Sequence, residues 1–174
     1  MWNSSEVRHE LAKQVLGSAG ELRPVARGGS MLPAIWPGDV LVVRSAAMES
    51  VRAEEIVVSR RGDYLCAHRV VGECFEGGRR VLITKGDSLP SADLSTISEA
   101  EFLGRVSSVI RGEKQWEPAP LPTGWQGIAA RILRKSERAT TALLRIHAAC
   151  RRVKGLLGRA AEARSMAPRS AAHV

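Results

Sequence analysis

The 174-residue chain lacks any apolar run long enough to cross a membrane. Its longest charge-free windows, residues 28–38 and 118–130, fall short of the roughly 20 residues such a helix requires. The opening Met1-Trp2-Asn3-Ser4-Ser5-Glu6 has no basic start followed by an apolar stretch, so no secretory leader is read there. Aromatic residues make up only 4% of the chain, which argues against stacking on successive bases as its organising chemistry. Three cysteines, Cys66, Cys74 and Cys150, cannot all pair within one chain, and free thiols fit a reducing compartment. These absences together place the expected location in the cytoplasm, with peripheral attachment at the inner membrane face left open.

Acidic residues are scarce in one part only. Residues 1–117 carry 15 basic and 16 acidic side chains, and residues 118–174 carry 11 basic and 2 acidic. The formal charge of +8 is therefore a property of the tail, and the function of the body is argued without it. With 44% hydrophobic residues the body can bury a core, and the expected division is a domain over 1–117, a proline-rich linker over 118–123 and a basic helix with its end over 124–174.

In the body, Ser4 or Ser5 can cap a helix covering residues 1–20, with Val7, Leu11, Val15 and Leu16 at helical spacing and Gly17 or Gly20 at its end. From residue 22 the texture changes to short β-rich runs at 22–26, 40–44, 55–60, 64–71, 80–84 and 102–110. Pro37-Gly38-Asp39, Arg61-Gly62-Asp63, Gly77-Gly78 and Lys85-Gly86-Asp87 punctuate them. The expectation is a mainly β, mostly antiparallel domain with its core over 22–111. In the tail, Ile132, Ala139, Ile146, Val153 and Ala160 recur every seven residues, opposite Arg131, Arg138, Arg145, Arg152 and Arg159. That is the pattern of a long amphipathic helix with an arginine stripe, suited to docking, to an anionic membrane or to a protein partner. Sequence-specific nucleic-acid binding is not expected of it, since arginines in this pattern meet phosphates without reading bases.

Three elements carry chemistry. Gly28-Gly29-Ser30-Met31-Leu32-Pro33 turns sharply and exposes a hydroxyl beside backbone N–H groups, although alone it is the composition of an ordinary turn. His68 lies in the apolar strand Leu65-Cys66-Ala67-His68-Arg69-Val70-Val71, with Cys66, His68 and Val70 on one face, whereas His9, His147 and His173 fall on helices or at the end. Asp87 and Asp93 follow the strand ending in Thr84-Lys85, and either could accept a hydrogen bond from the second nitrogen of His68. Lys85 is a competing base. Cys66, His68 and Cys74 offer three zinc donors without a suitably spaced fourth, so neither a metal nor a cofactor is expected.

In order and spacing these elements resemble the signal peptidase I and LexA-like serine peptidases. Ser30-Met31-x-Pro33 precedes Gly38-Asp39, His68-Arg69-Val70-Val71 lies on a strand, and Thr84-Lys85-Gly86-Asp87 leads to Asp93. The resemblance covers residues 22–111 and implies that family's folded antiparallel β domain, with a short N-terminal helix before it. The bacterial signal peptidases and LexA-like autoproteases place a lysine where this chain has His68, and the archaeal and endoplasmic-reticulum type places a histidine. Carried over, Ser30 is the nucleophile, His68 the general base and Asp93 its carboxylate partner. Asp87 supports the turn, and Gly29 and Met31 flank the nucleophile at the oxyanion position. Gly28 stands where many signal peptidases carry a serine donor, which leaves backbone donors alone and points to a slow enzyme.

The resulting expectation is a serine endopeptidase acting on a peptide or protein substrate. Two alternatives stand beside it. One is a self-processing LexA-like or mutagenesis-protein-like regulator, for which Ala19-Gly20 is the matching dipeptide. The other is a catalytically weak peptide-binding module on the same fold.

Overall fold

A computed structural model describes residues 4–119, 141 and 143–149. The turn residues divide the body into strands much as the sequence indicates. Helix α1 (Ser4–Ala19) leads into β1 (Glu21–Leu22), followed by β2 (Val40–Arg44), a 3-10 turn at Met48–Ser50, β3 (Ile56–Arg61), β4 (Tyr64–Glu76), β5 (Arg79–Lys85), β6 (Phe102–Arg111) and β7 (Lys114–Trp116). The seven strands form one sheet in the order β1-β2-β6-β3-β4-β5, with β7 on β6, and every pairing is antiparallel. The expected mainly antiparallel β fold is the fold of this chain.

Several element bounds differ from the sequence reading, each for a local reason. The strand expected over 22–26 is cut to Glu21–Leu22 plus an isolated bridge at Val25, because Pro24 has no N–H to contribute to a ladder. Strand β4 continues past Val71 to Glu76 through a register shift between Val70 and Gly72, so the glycine marks a bulge instead of an end. Strand β7 was not anticipated; Gly112 at φ 61° makes the tight turn that folds it back on β6.

The sheet is buried on both faces near its centre. Ile56 and Val58 of β3 join one apolar cluster with Leu41, Val43, Leu103, Val106, Val109, Met31 and Ile35. Val57, pointing the other way, joins Met48, Val51, Val70, Leu82, Ile97 and Phe102. Period-two alternation alone produces this division, so the Ile-Val-Val run of β3 has no solvent face. Strand β6 approaches β2 so closely that a Cβ on Gly104 would sit 2.4 Å from the Arg44 carbonyl oxygen. At the outer edge of β5, Leu82 and Ile97 exchange both backbone hydrogen bonds (3.0 and 2.8 Å), so the segment after the strand covers it.

Helix α1 covers the first cluster with a different stripe from the one expected. Val7 and Leu11 are exposed, and His9, Ala12 and Leu16 are buried. Positions 9, 12 and 16 align on a 3.6-residue helix, and His9 tolerates burial because its Nε2–H donates to the Ala100 carbonyl at 3.0 Å. Gly20, at φ 73°, ends the helix and donates its N–H to Leu16 O at 3.0 Å.

Contacts divide the chain into two compact units, Met1–Ser136 and Glu137–Val174. In the second, residues 141 and 143–149 are helical, with Arg145 exposed, Leu143 half-buried and Ile146 exposed. Most of the expected linker over 118–123 and of the basic helix over 124–164 lies outside the described residues.

Burial holds the His9 imidazole below its ordinary value of 6.5, reinforced by Lys13 and Arg60 against the Ala100 hydrogen bond and Glu10. Among the described residues its buried Nδ1 has no partner, so none of them accepts a proton placed there. The unfolded chain takes up that proton near pH 6.5 and the folded chain only at lower pH, so stability is retained above pH 6.5 and declines below it. Urea midpoints measured between pH 7.5 and 5.5 are expected to fall, and His9→Gln to flatten that decline.

Candidate functional site

Three hydrophobic anchors and one carboxylate hold the Ser30 loop. Met31, Leu32 and Ile35 are buried, and Ile35 N–H bonds to Met31 O at 2.9 Å while Leu32 N–H bonds to Gly29 O at 3.2 Å. The chain thus makes a tight turn starting at Ser30, with the Leu32–Pro33 peptide bond cis. Among the described residues the Ser30 and Met31 N–H groups, at the mouth of that turn, have no protein acceptor. At its far end Asp39, almost fully buried, accepts from Trp36 N–H at 2.7 Å and from the Arg111 guanidinium at 2.7 Å through each oxygen. Arg111 in turn lies over the Trp36 and Trp116 rings, at 5.7 and 5.1 Å from their centroids.

A second turn grips Ser30 from the other side. Ser88 N–H donates to the Ser30 carbonyl at 2.9 Å, and the Ser88 hydroxyl lies within reach of the Gly29 and Ser30 carbonyls at 3.0 and 2.9 Å. Contact is backbone on backbone: a Cβ on Gly86 would fall 2.7 Å from Ser30 O, a separation that side chains do not tolerate. Only glycine fits there. Asp87, between these two residues, is turned inward, where Arg69 Nε and Nη2 bind its two oxygens at 2.8 and 2.7 Å. Both side chains are at most 5% exposed.

His68 arrives from β4, paired in register with Val57. Its side chain is only 10% exposed, and both ring nitrogens are engaged: Nε2 lies 3.0 Å from Ser30 Oγ and Nδ1 2.7 Å from Asp93 Oδ2. A carboxylate can only accept, so Nδ1 carries the proton and Nε2 is left as the acceptor for the Ser30 hydroxyl. Asp93 is fixed by its own N–H to Thr84 O at 2.8 Å and by the Thr84 hydroxyl, which donates to Oδ2 at 2.6 Å.

Of the residues singled out from the sequence, Ser30, His68 and Asp93 are brought into one hydrogen-bonded line. Asp87 is not in contact with His68 and pairs with Arg69; Gly29 and Met31 shape and anchor the turn. Lys85 is directed elsewhere, its Nζ donating to Pro90 O at 3.1 Å. Ser88 and Arg61 were not singled out in the sequence, and Thr84 stood in the matching motif without a role of its own. A hydroxyl residue directly after Gly-Asp and another just before Lys-Gly were the only available signals.

The zinc alternative finds no support in the geometry. Both nitrogens of His68 are committed, and burial, followed by the charge of Asp93, pushes the Cys66 thiol up to about 11 against the pull of Arg61. A protonated thiol is a poor ligand. Among the described residues no group of three or more His, Cys, Asp or Glu side chains could hold a metal ion.

The two carboxylates differ in what they hold up. Removing one partner of a buried ion pair strands the other charge, so Asp87→Ala is expected to cost about 3–5 kcal/mol of folding free energy. Asp93→Ala, at a more open position, should cost no more than about 2 kcal/mol. Denaturant titration of the two variants side by side checks the difference.

A Peptidase S24-like family model matches residues 12–107, which spans α1 from its middle, both turns around Ser30, and the strands and loop that carry His68 and Asp93. No curated protein matches the chain. The match extends over more than half of the sequence and contains the whole Ser30–His68–Asp93 line: this chain belongs to the Peptidase S24-like family.

Proposed function

We propose that the protein is a serine endopeptidase of the signal peptidase type, in its histidine-base branch, acting on a peptide or protein substrate. The observation that carries this reading is the position of His68 between Ser30 Oγ and Asp93 Oδ2, at 3.0 and 2.7 Å. A histidine placed there for structural reasons alone has no need of a serine hydroxyl on one nitrogen and a carboxylate on the other.

The chemistry follows from that line. As Ser30 Oγ attacks a substrate carbonyl carbon, His68 Nε2 takes the hydroxyl proton, and the ionised Asp93 stabilises the imidazolium without itself becoming protonated. The carbonyl oxygen becomes an oxyanion, for which the Ser30 and Met31 N–H groups are the donors at hand. Collapse of the tetrahedral intermediate breaks the C–N bond, and His68 returns its proton to the departing amine. Water, deprotonated by His68 in the second half, then releases the acyl group and regenerates Ser30. No step needs a metal or cofactor. Small side chains ahead of the scissile bond are the preference that the resemblance implies.

No helix among the described residues is long and apolar enough to cross a membrane. Attachment to an anionic surface or a protein partner through the basic segment over 124–164 completes the proposal, with the cytoplasmic side as its location.

A self-processing regulator is the second reading, favoured by the match to the S24-like family. The bond it requires, Ala19–Gly20, lies at the capped end of α1, where Gly20 N–H is held by Leu16 O and the next residue begins β1. Cleavage in cis therefore demands that the helix end unwind and β1 leave β2.

An alkyl fluorophosphonate is expected to label the wild type at Ser30, and Ser30→Ala to abolish labelling. His68→Ala should slow it by about a thousandfold or more. Absence of labelling throughout pH 6–9 would leave a peptide-binding module. A stable product starting at Gly20 in the mass spectrum of the wild type, missing from Ser30→Ala, would favour self-processing.

A further inference from the structure

The carboxylate segment is held by a residue that plays no part in the sequence pattern. Arg61 closes β3 at a hairpin turn, a place where an arginine ordinarily extends into water. Here its side chain is only 13% exposed and folds over the segment that follows β5. Nη1 donates to Ser95 Oγ at 2.9 Å and to Thr96 O at 3.1 Å, and Nη2 donates to Thr84 Oγ1 at 3.2 Å and lies 3.5 Å from Asp93 Oδ2. One guanidinium thus fastens the loop just after Asp93, Asp93 itself and the threonine whose hydroxyl donates to it. A fork of five N–H donors can do this, and a single ammonium cannot.

Resting on the peptidase reading above, we propose that Arg61 is a positioning residue of the Ser30–His68–Asp93 site, fixing the Asp93 loop and setting a permanent positive charge behind the carboxylate. That charge opposes the imidazolium that Asp93 favours, so the two act on the proton transfer in opposite senses.

The ionisable groups around His68 allow the effect to be isolated. Asp93 faces it from the segment after β5, Arg61 stands behind Asp93 at the end of β3, and Cys66 shares its face of β4 as a neutral thiol. Lys85 is turned to Pro90 O, and Arg69 and Asp87 neutralise one another. After burial, Asp93 and Arg61 act on the Cys66 thiol in opposite directions, so both charges are felt across this face of the strand.

The test is the rate at which the fluorophosphonate phosphonylates Ser30, its Oγ displacing fluoride from phosphorus, in the full chain from pH 5 to 9, in the wild type, Arg61→Met and Arg61→Lys. On the alkaline plateau Arg61→Met is expected to be phosphonylated about tenfold to a hundredfold more slowly. The midpoint of its acid limb should move to higher pH by about half a unit or more. Arg61→Lys keeps the limb in place and recovers only part of the rate. Equal slowing in both variants with the limb unmoved would reduce Arg61 to a structural brace and overturn the inference, as would wild-type behaviour of Arg61→Met. Should Arg61→Met fail to fold, Arg61→Gln supplies the same comparison. An unlabelled wild type overturns the peptidase reading itself, a result separable from either failure of Arg61.

Discussion

A guanidinium removed from water must find partners for its donors, and the way Arg69 does so determines how the rest of the molecule is arranged. Its fork holds Asp87, and its Nη1 also donates to the carbonyls of Glu54 and Ala119 at 2.7 and 3.0 Å. Glu54 sits at φ 75°, a conformation costly for a residue with a side chain, and the bond to its carbonyl helps hold it there. Three separate pieces of backbone therefore meet on one side chain: the turn before β3, the turn after β5 and the segment leaving β7. Once Asp87 is fixed, Gly86 and Ser88 on either side of it are fixed against Ser30.

His68 and Arg69 are consecutive, and strand geometry sends them to opposite faces. The arginine orders the framework while its neighbour faces the serine. Because one β4 backbone carries both, a change in its register with β3 would lose the ion pair and the histidine contact at once, so the site inherits the precision of the sheet. The hydroxyl and carboxylate come from loops, but each loop is tied down, Ser30 by Ser88 in the turn that directly follows β5 and Asp93 by Thr84 within β5.

Ser30, His68 and Asp93 could be found in the sequence because each is an unusual residue for its surroundings: a serine after two glycines, a histidine in an apolar strand, a carboxylate after a Gly-Asp turn. The residues alone leave Asp87 and Asp93 open, and only the resemblance prefers Asp93; the physical ground is which carboxylate Arg69 claims, and that is settled by folding. Ser88 and Arg61 drew no notice, and Thr84 stood in the motif without a role, for the same reason: serine, threonine and arginine near turns are commonplace, and their importance comes from what the sheet brings opposite them. In α1 the apolar pattern misled, because hydropathy marks Val7 and Leu11 as inward and His9 as outward. The helix instead presents the residue whose ring nitrogen can bond the Ala100 carbonyl.

The segment that delivers Asp93 does not stop there: four residues later Ile97 completes a two-way backbone pairing with Leu82. An open strand edge is a template for another chain, and here that template is already occupied. The same stretch of polypeptide therefore carries the carboxylate bonded to His68 and acts as a guard rail for the sheet. Loosening it would part Asp93 from His68 and bare the edge of β5 in a single event, which ties protection of the sheet edge to the geometry of the candidate site.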